Sequence, residues 1–138
     1  MARRAFAPLV VCLSALLSMA LQGCDDTTDP GAGDSPSNVV FPVRDVKYNE
    51  HVQVLFNQAC NFSGCHGEGL HESPLKLTTW ANTVITIPGV VVPGDPGSST
   101  LVLRIEGRQP IMPPSGATLN QNQIDGIRTW IAEGAPNN

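Results

Sequence analysis

Two cysteines and one histidine in the middle of the chain are the residues best suited, by type and spacing, to chemistry. Four residues separate Cys60 from Cys65, and His66 follows directly. Two thiols followed by an imidazole suit covalent attachment of a haem, with the sulfurs bonded to its vinyl groups and the histidine bonded to its iron. The usual motif is C-x-x-C-H, so this loop has two additional residues, which can bulge outward because Gly64 frees the backbone to turn before Cys65. The adjacent Cys65 and His66 are therefore the specific part of the signal.

Two other interpretations of these residues stay open. In an oxidising compartment, Cys60 and Cys65 could close a small disulfide, with His66 as a bystander. A structural zinc site is the other alternative, but zinc normally takes four ligands, and the chain adds only His51 and His71. Neither histidine has a partner at the short spacing of a zinc motif, so the sequence favours haem.

Met112 is the candidate for the second iron ligand. It lies in the sequence Ile111-Met112-Pro113-Pro114, and the other two methionines, Met1 and Met19, belong to an N-terminal apolar segment that is expected to be removed. A thioether is a soft, neutral ligand suited to a haem iron in electron transfer, and the adjoining prolines stiffen the backbone that presents it. A lone methionine more often fills a core, but this one lies in a proline-rich loop and not on a helical stripe. We therefore predict that His66 and Met112 are the axial ligands.

The N-terminus has the pattern of an export signal. Arg3 and Arg4 precede an apolar run over residues 5–21, which is shorter than the roughly 20 apolar residues of a membrane-spanning helix. The run ends in Leu21-Gln22-Gly23-Cys24, which resembles the lipobox of bacterial lipoproteins; an ordinary signal peptide or a signal anchor is the alternative. We expect residues 1–23 to be a lipoprotein signal peptide and Cys24 to be lipidated, anchoring an exported protein to a bacterial membrane on its periplasmic or outer face.

Composition divides the rest of the chain into two parts. Residues 24–43 are rich in Asp, Thr, Ser, Gly and Pro, and are predicted to form a flexible acidic linker. Residues 44–138 are long enough for one small domain, whose marginal core would gain from a buried cofactor. The chain has 8 Lys+Arg and 12 Asp+Glu; loss of Arg3 and Arg4 with the signal leaves 6 against 12, a net charge of −6. Nucleic acid is therefore not an expected partner.

Helices are predicted on both sides of the cysteine motif. Asn49 is the expected N-cap of a helix from Glu50 to about Ala59, and this helix leads directly into Cys60. Its apolar residues recur at helical spacing and form one face: Val52, Leu55, Phe56 and Ala59. Residues 67–94 have weak periodicity, so we expect loop, extended pieces and a short helix near Trp80.

Two further helices are predicted after this region. Asp95 and Pro96 are the expected N-cap and first residue of a helix to about Ile105, which would bury Leu101 and Ile105. Asn120 and Gln123 have the spacing of a capping box at the start of the last helix. The apolar stripe of that helix comprises Ile124, Ile127, Trp130 and Ile131, with Gly134 as its stop. The domain is thus predicted to be all-α, with its two terminal helices packed together.

The order of these motifs resembles the class I cytochrome c fold, and most closely planctomycete-type cytochrome c domains. The resemblance covers about Tyr48 to Ala135 and rests on the Cys60…Cys65-His66 loop, Pro93-Gly94-Asp95-Pro96, Met112-Pro113-Pro114 and the final helix. It implies an all-α domain with crossing terminal helices around one haem c, held by Cys60 and Cys65 and ligated by His66 and Met112. The C-x4-C-H spacing is the departure from the family pattern.

Electron transfer is the function that this arrangement predicts. With both axial positions filled, the iron has no open site for a substrate, so the protein is expected to be a carrier that serves redox partner proteins, and not an enzyme. Candidate partners for the haem propionates are Trp80, Lys76, Arg104 and Arg108. The alternatives are a lipid-anchored interaction module with a Cys60–Cys65 disulfide, and a five-coordinate haem sensor in which Met112 is structural.

Overall fold

The computed structural model describes residues 37–69, 74–107, 111–114 and 118–138. These residues form helices and no strand, which confirms the all-α prediction for the described part of the chain. The elements are a π-helical turn (Tyr48–Val52), α1 (Gln53–Ala59), α2 (Trp80–Val84), a 3₁₀ turn (Pro96–Ser98), α3 (Thr100–Ile105) and α4 (Gln121–Ala132). None of the helices described here is both long enough and apolar enough to span a bilayer.

The first helical segment begins earlier than predicted. It starts at Tyr48 with a π-helical turn, because the Lys47 carbonyl accepts from the backbone N–H groups of both His51 (3.0 Å) and Val52 (3.4 Å). Asn49, the predicted cap, instead donates its side-chain amide to the carbonyl of Asn138 (3.0 Å). The predicted apolar face is confirmed, since Val52, Leu55, Phe56 and Ala59 are all buried.

The helix predicted from Asp95 to Ile105 is divided into two. Asp95 does cap, but its carboxylate accepts from Ser98 N–H (3.0 Å) and closes only the 3₁₀ turn; this hydrogen bonding lowers the pKa of Asp95. Ser99 is extended between the turn and α3, because its buried hydroxyl donates to the Asp95 carbonyl (2.9 Å) and accepts from Val92 N–H (2.8 Å). Leu101 and Ile105 are buried as predicted.

α4 matches its prediction closely. Asn120 and Gln123 form both hydrogen bonds of a capping box, and Gly134 follows the helix with a φ of 95°. The predicted stripe of Ile124, Ile127, Trp130 and Ile131 is buried. The rings of Tyr48 and Trp130 lie 5.5 Å apart, so the two terminal helical segments are in contact.

Residues 37–42, which we call the N-terminal strap, pack against α4. Phe41 is 3% exposed, and its backbone N–H and carbonyl both bond to the side-chain amide of Asn122 (2.8 and 3.0 Å). The buried Gln123 amide donates to the carbonyls of Ser37 (2.9 Å) and Val39 (3.1 Å). The strap lies inside the predicted linker 24–43, so the packed part of the chain extends beyond the predicted boundary at residue 44, at least to Ser37.

Candidate functional site

An apolar cavity of about 410 Å³ lies between the cysteine loop, α3 and the methionine loop. Its volume falls within the ordinary range for small-molecule and cofactor sites. Three of the four predicted cofactor-binding residues, Cys60, His66 and Met112, line it together. The remaining lining residues are Pro74, Leu75, Leu77, Ile87, Val90, Thr100, Leu101, Arg104 and Ile105.

One ring nitrogen of His66 is engaged in a hydrogen bond with the backbone. Its Nδ1 lies 3.0 Å from the Leu75 carbonyl, and because a carbonyl oxygen can only accept, the proton is on Nδ1. In that tautomer Nε2 carries a lone pair and is available to a metal. A histidine that donates its second N–H to a backbone carbonyl is the usual arrangement of a metal ligand.

The cysteine loop closes across its base. His66 N–H donates to the Cys60 carbonyl (3.1 Å), and Cys65 N–H donates to the Phe62 carbonyl (3.0 Å). Phe62, Ser63 and Gly64 are exposed while Asn61 is half-buried, and Gly64 adopts a φ of 84°, as a turn before Cys65 requires. The additional residues of the C-x4-C-H motif therefore bulge outward.

The two thiols have different surroundings. Burial raises the pKa of Cys60 to about 12, with a smaller contribution from the nearby Cys65, so Cys60 is a neutral thiol near pH 7. Cys65 is exposed and does not line the cavity. Both are free thiols. The structure thus brings together three of the four predicted cofactor residues and leaves the second thiol outside the cavity wall.

α3 positions Met112. The carbonyl of Arg104, in the last turn of the helix, accepts from the backbone N–H groups of Ile111 (3.1 Å) and Met112 (2.9 Å). The side chain of Met112 is half-buried and packs against the edge of the core. The methionine loop is therefore fixed to the same helix that supplies Leu101 and Ile105 to the cavity wall.

Residues 63–116 match the family described as Planctomycete cytochrome C. The match confirms the predicted resemblance to planctomycete-type cytochrome c domains. It includes Cys65, His66 and Met112, and begins three residues after Cys60. Neither the search of curated proteins nor that of solved structures found a match.

The residues that line the cavity fit a haem in four respects. The cavity wall is largely apolar, the His66 ring presents a free nitrogen, Met112 provides a thioether and Cys60 provides a protonated thiol. Arg104 adds a cation that suits the carboxylates of a haem. Within the described ranges, no group of three or more His, Cys, Asp or Glu side chains has the arrangement of a metal site.

The other candidate partners of a cofactor carboxylate are mostly engaged elsewhere. The Trp80 indole N–H donates to the carbonyl of Ala135 (2.8 Å), and Lys76 forms an ion pair with Glu68 (2.6 Å). Arg108 lies outside the described residues, as does His71. His51, which was considered as a zinc ligand, also has other contacts: its Nδ1 accepts from Lys47 N–H (3.0 Å), and its ring lies 5.8 Å from that of Phe41. Among the described candidates for binding a cofactor carboxylate, Arg104 is the one that lines the cavity.

Sequence reasoning missed the Leu75 carbonyl, which orients the His66 ring. A backbone carbonyl carries no side-chain signal, and the segment around it has no periodicity. The one usable signal is Pro74, whose ring restricts the backbone immediately before Leu75.

Proposed function

We propose that this chain is a membrane-tethered c-type cytochrome that carries out one-electron transfer. The observation that carries the proposal is the convergence of Cys60, His66 and Met112 on one apolar cavity, with the His66 Nδ1 proton already committed to Leu75. Bound haem c supplies one-electron exchange between ferric and ferrous iron. The proposed fold is that of class I cytochrome c, with crossing terminal helices.

Each ligand has a separate role in this proposal. Cys60 and Cys65 would hold the cofactor covalently, Cys60 from the cavity wall and Cys65 from an exposed position outside that wall. His66 and Met112 would ligate the iron and leave no position for a substrate, so the protein would be a carrier rather than an enzyme. Arg104, at the cavity wall, would pair with a carboxylate of the cofactor.

The apolar cavity wall would affect the reduction potential of the iron because it excludes water. Leu75, Leu77, Val90 and Leu101 line the cavity, and Leu77 and Val90 are 2% and 7% exposed. A site of low polarity disfavours the more highly charged oxidation state of the iron, and so acts in the same direction as methionine ligation, which raises the reduction potential.

Replacing both Cys60 and Cys65 with alanine is expected to abolish covalent haem. The chain should be expressed in a host with haem-attachment machinery and run on a denaturing gel, with haem detected by its peroxidase activity. Wild type should retain haem and the double variant should lose it, while Ser63→Ala, an exposed change in the same loop, should leave attachment intact.

A pyridine haemochrome spectrum of the same samples gives the number of thioether bonds. A wild-type chain that carries no haem and has a Cys60–Cys65 disulfide would reject the cytochrome in favour of the interaction module. A wild-type chain whose reduced form binds carbon monoxide without displacement of Met112 would favour the five-coordinate sensor.

Replacing Cys24 with alanine is expected to abolish membrane anchoring. Cys24 lies outside the described residues, so this proposal rests on the pattern Leu21-Gln22-Gly23-Cys24 alone. Radiolabelled palmitate should enter wild type and a Thr27→Ala control, but not Cys24→Ala, which should be released from membranes or remain unprocessed. Absence of label in wild type would contradict lipidation and leave the electron-transfer proposal standing.

A further inference from the structure

The segment 75–77 is hydrogen-bonded to His66 at both of its ends. The Leu75 carbonyl accepts the Nδ1 proton of the His66 ring (3.0 Å), and the Leu77 N–H donates to the His66 carbonyl (2.9 Å). The position of this segment therefore determines the direction in which the His66 ring is held and the strength of its Nδ1–H hydrogen bond.

Two side chains hold the segment in turn. The Leu77 carbonyl accepts from the Nε2 group of Gln53 and from the Nδ2 group of Asn61, each at 2.9 Å. Both amides also donate to Asn57 Oδ1, again at 2.9 Å. Each amide nitrogen has two N–H groups, so the donors of Gln53 and Asn61 are fully committed to these two acceptors.

The placement of these amides indicates a role beyond the stability of α1. Gln53, Asn57 and Asn61 are spaced by four residues, which puts them in line along one side of α1 and the residues after it. The side-chain carbonyl oxygen of Gln53 accepts from the buried Tyr48 hydroxyl (2.6 Å), and this bond restricts the orientation of the Gln53 amide. Asn61 Oδ1 is buried and has no partner among the described residues, so Asn61 is held by its donors and not by its acceptor.

We propose that Gln53 and Asn61 are positioning residues that tune the proximal ligand His66 through the Leu77 carbonyl. This inference rests on the proposed cytochrome function. A hydrogen bond from Nδ1 to a carbonyl makes the imidazole a more basic ligand, and a more basic ligand favours the ferric state. Loss of the two amide donors loosens segment 75–77, weakens the bond at Leu75 and shifts the iron toward the ferrous state.

The test compares haem-loaded full chains. The double variant Gln53→Leu with Asn61→Leu removes both donors to Leu77 with little change of volume. The control Gln121→Leu removes an amide that donates to Asp125 across the same spacing of four residues, on the exposed face of α4. At a fixed ambient potential, the ferric-to-ferrous ratio of the double variant should fall by a few-fold. Loss of a group bonded directly to a metal ligand changes metal affinity or activity by ~10- to 100-fold, and Gln53 and Asn61 act one step further away, through Leu77.

The electron paramagnetic resonance spectrum of the ferric form gives a second readout, because its g values depend on the orientation of the imidazole. They should shift in the double variant and remain unchanged in the control. Unchanged potential and g values, with or without a lower melting temperature, would overturn the inference. If the double variant does not fold, the single variants Gln53→Leu and Asn61→Leu are measured in its place. Each should show a smaller change of the ferric-to-ferrous ratio, in the same direction. A wild type without haem contradicts the proposed function itself, which the haemochrome spectrum reports separately.

Discussion

Replacing Gly126 with alanine is expected to destabilise the domain by about 1–3 kcal/mol. Gly126 is buried within α4, and a methyl group built on its Cα overlaps the Cβ and ring atoms of Phe41. Neither partner can yield easily, because Gly126 belongs to a helix and the backbone of Phe41 is bonded at both N–H and C=O to Asn122. A domain of this size has a free energy of unfolding of only about 5–10 kcal/mol, so the loss is a large fraction of the total.

Urea denaturation of the haem-loaded chain measures the effect. Gly97→Ala is the matched control, since its added methyl group meets only Asp95 Oδ1, at 3.4 Å, and its φ is not in the left-handed region. In the background of Phe41→Gly, which removes both the ring and the Cβ that the new methyl group overlaps, the Gly126→Ala change should have little further effect. Equal midpoints for wild type and Gly126→Ala would show that the strap does not pack against α4 as described.

Replacing Met112 with alanine is expected to leave the haem attached and to open one axial position. The thiols and His66 are untouched by the change, so covalent attachment and one ligand remain. Loss of the thioether should lower the reduction potential by an appreciable fraction of the ~0.8 V that axial ligands span. The reduced variant should bind carbon monoxide, and the long-wavelength ferric band of sulfur ligation should disappear.

The control for Met112 is its neighbour. Ile111 is 55% exposed and does not line the cavity, so Ile111→Ala should keep the wild-type potential and spectrum. A Met112→Ala variant that remains six-coordinate with an unchanged potential would exclude Met112 as the ligand. His51 is a poor substitute, because its Nδ1 is bonded to Lys47 N–H and its ring lies beside Phe41; His71 would then be the histidine to replace.

Local sequence signals predicted the faces of α1 and α4 and part of the cavity wall. The faces of α1 and α4 follow from apolar residues at helical spacing, and the capping box of Asn120 and Gln123 depends on two residues three positions apart. Cys60, His66 and Met112 were predicted from their chemistry and from their place at the ends of elements. In all these cases the information lies within one helix or one loop.

Contacts between distant residues could not be predicted in this way. The strap has no periodicity and the composition of a linker, yet Phe41 bonds to a residue 81 positions later. Gln123 was predicted as a cap, but its burial and its bonds to the strap depend on where the strap lies. The exposure of Cys65 depends on how the additional loop residues turn, which the motif spacing does not determine.

The bonds between the strap and α4 also impose an order on folding. Asn122 lies 81 residues after Phe41, so the strap cannot bond to α4 until almost the whole chain is present on the side of the membrane where it folds. Throughout that interval the first helical segment lacks Trp130, against which Tyr48 packs, and the cysteine loop belongs to an unfinished chain. Any enzyme that modifies Cys60 thus has access to its thiol before the completed domain partly covers it.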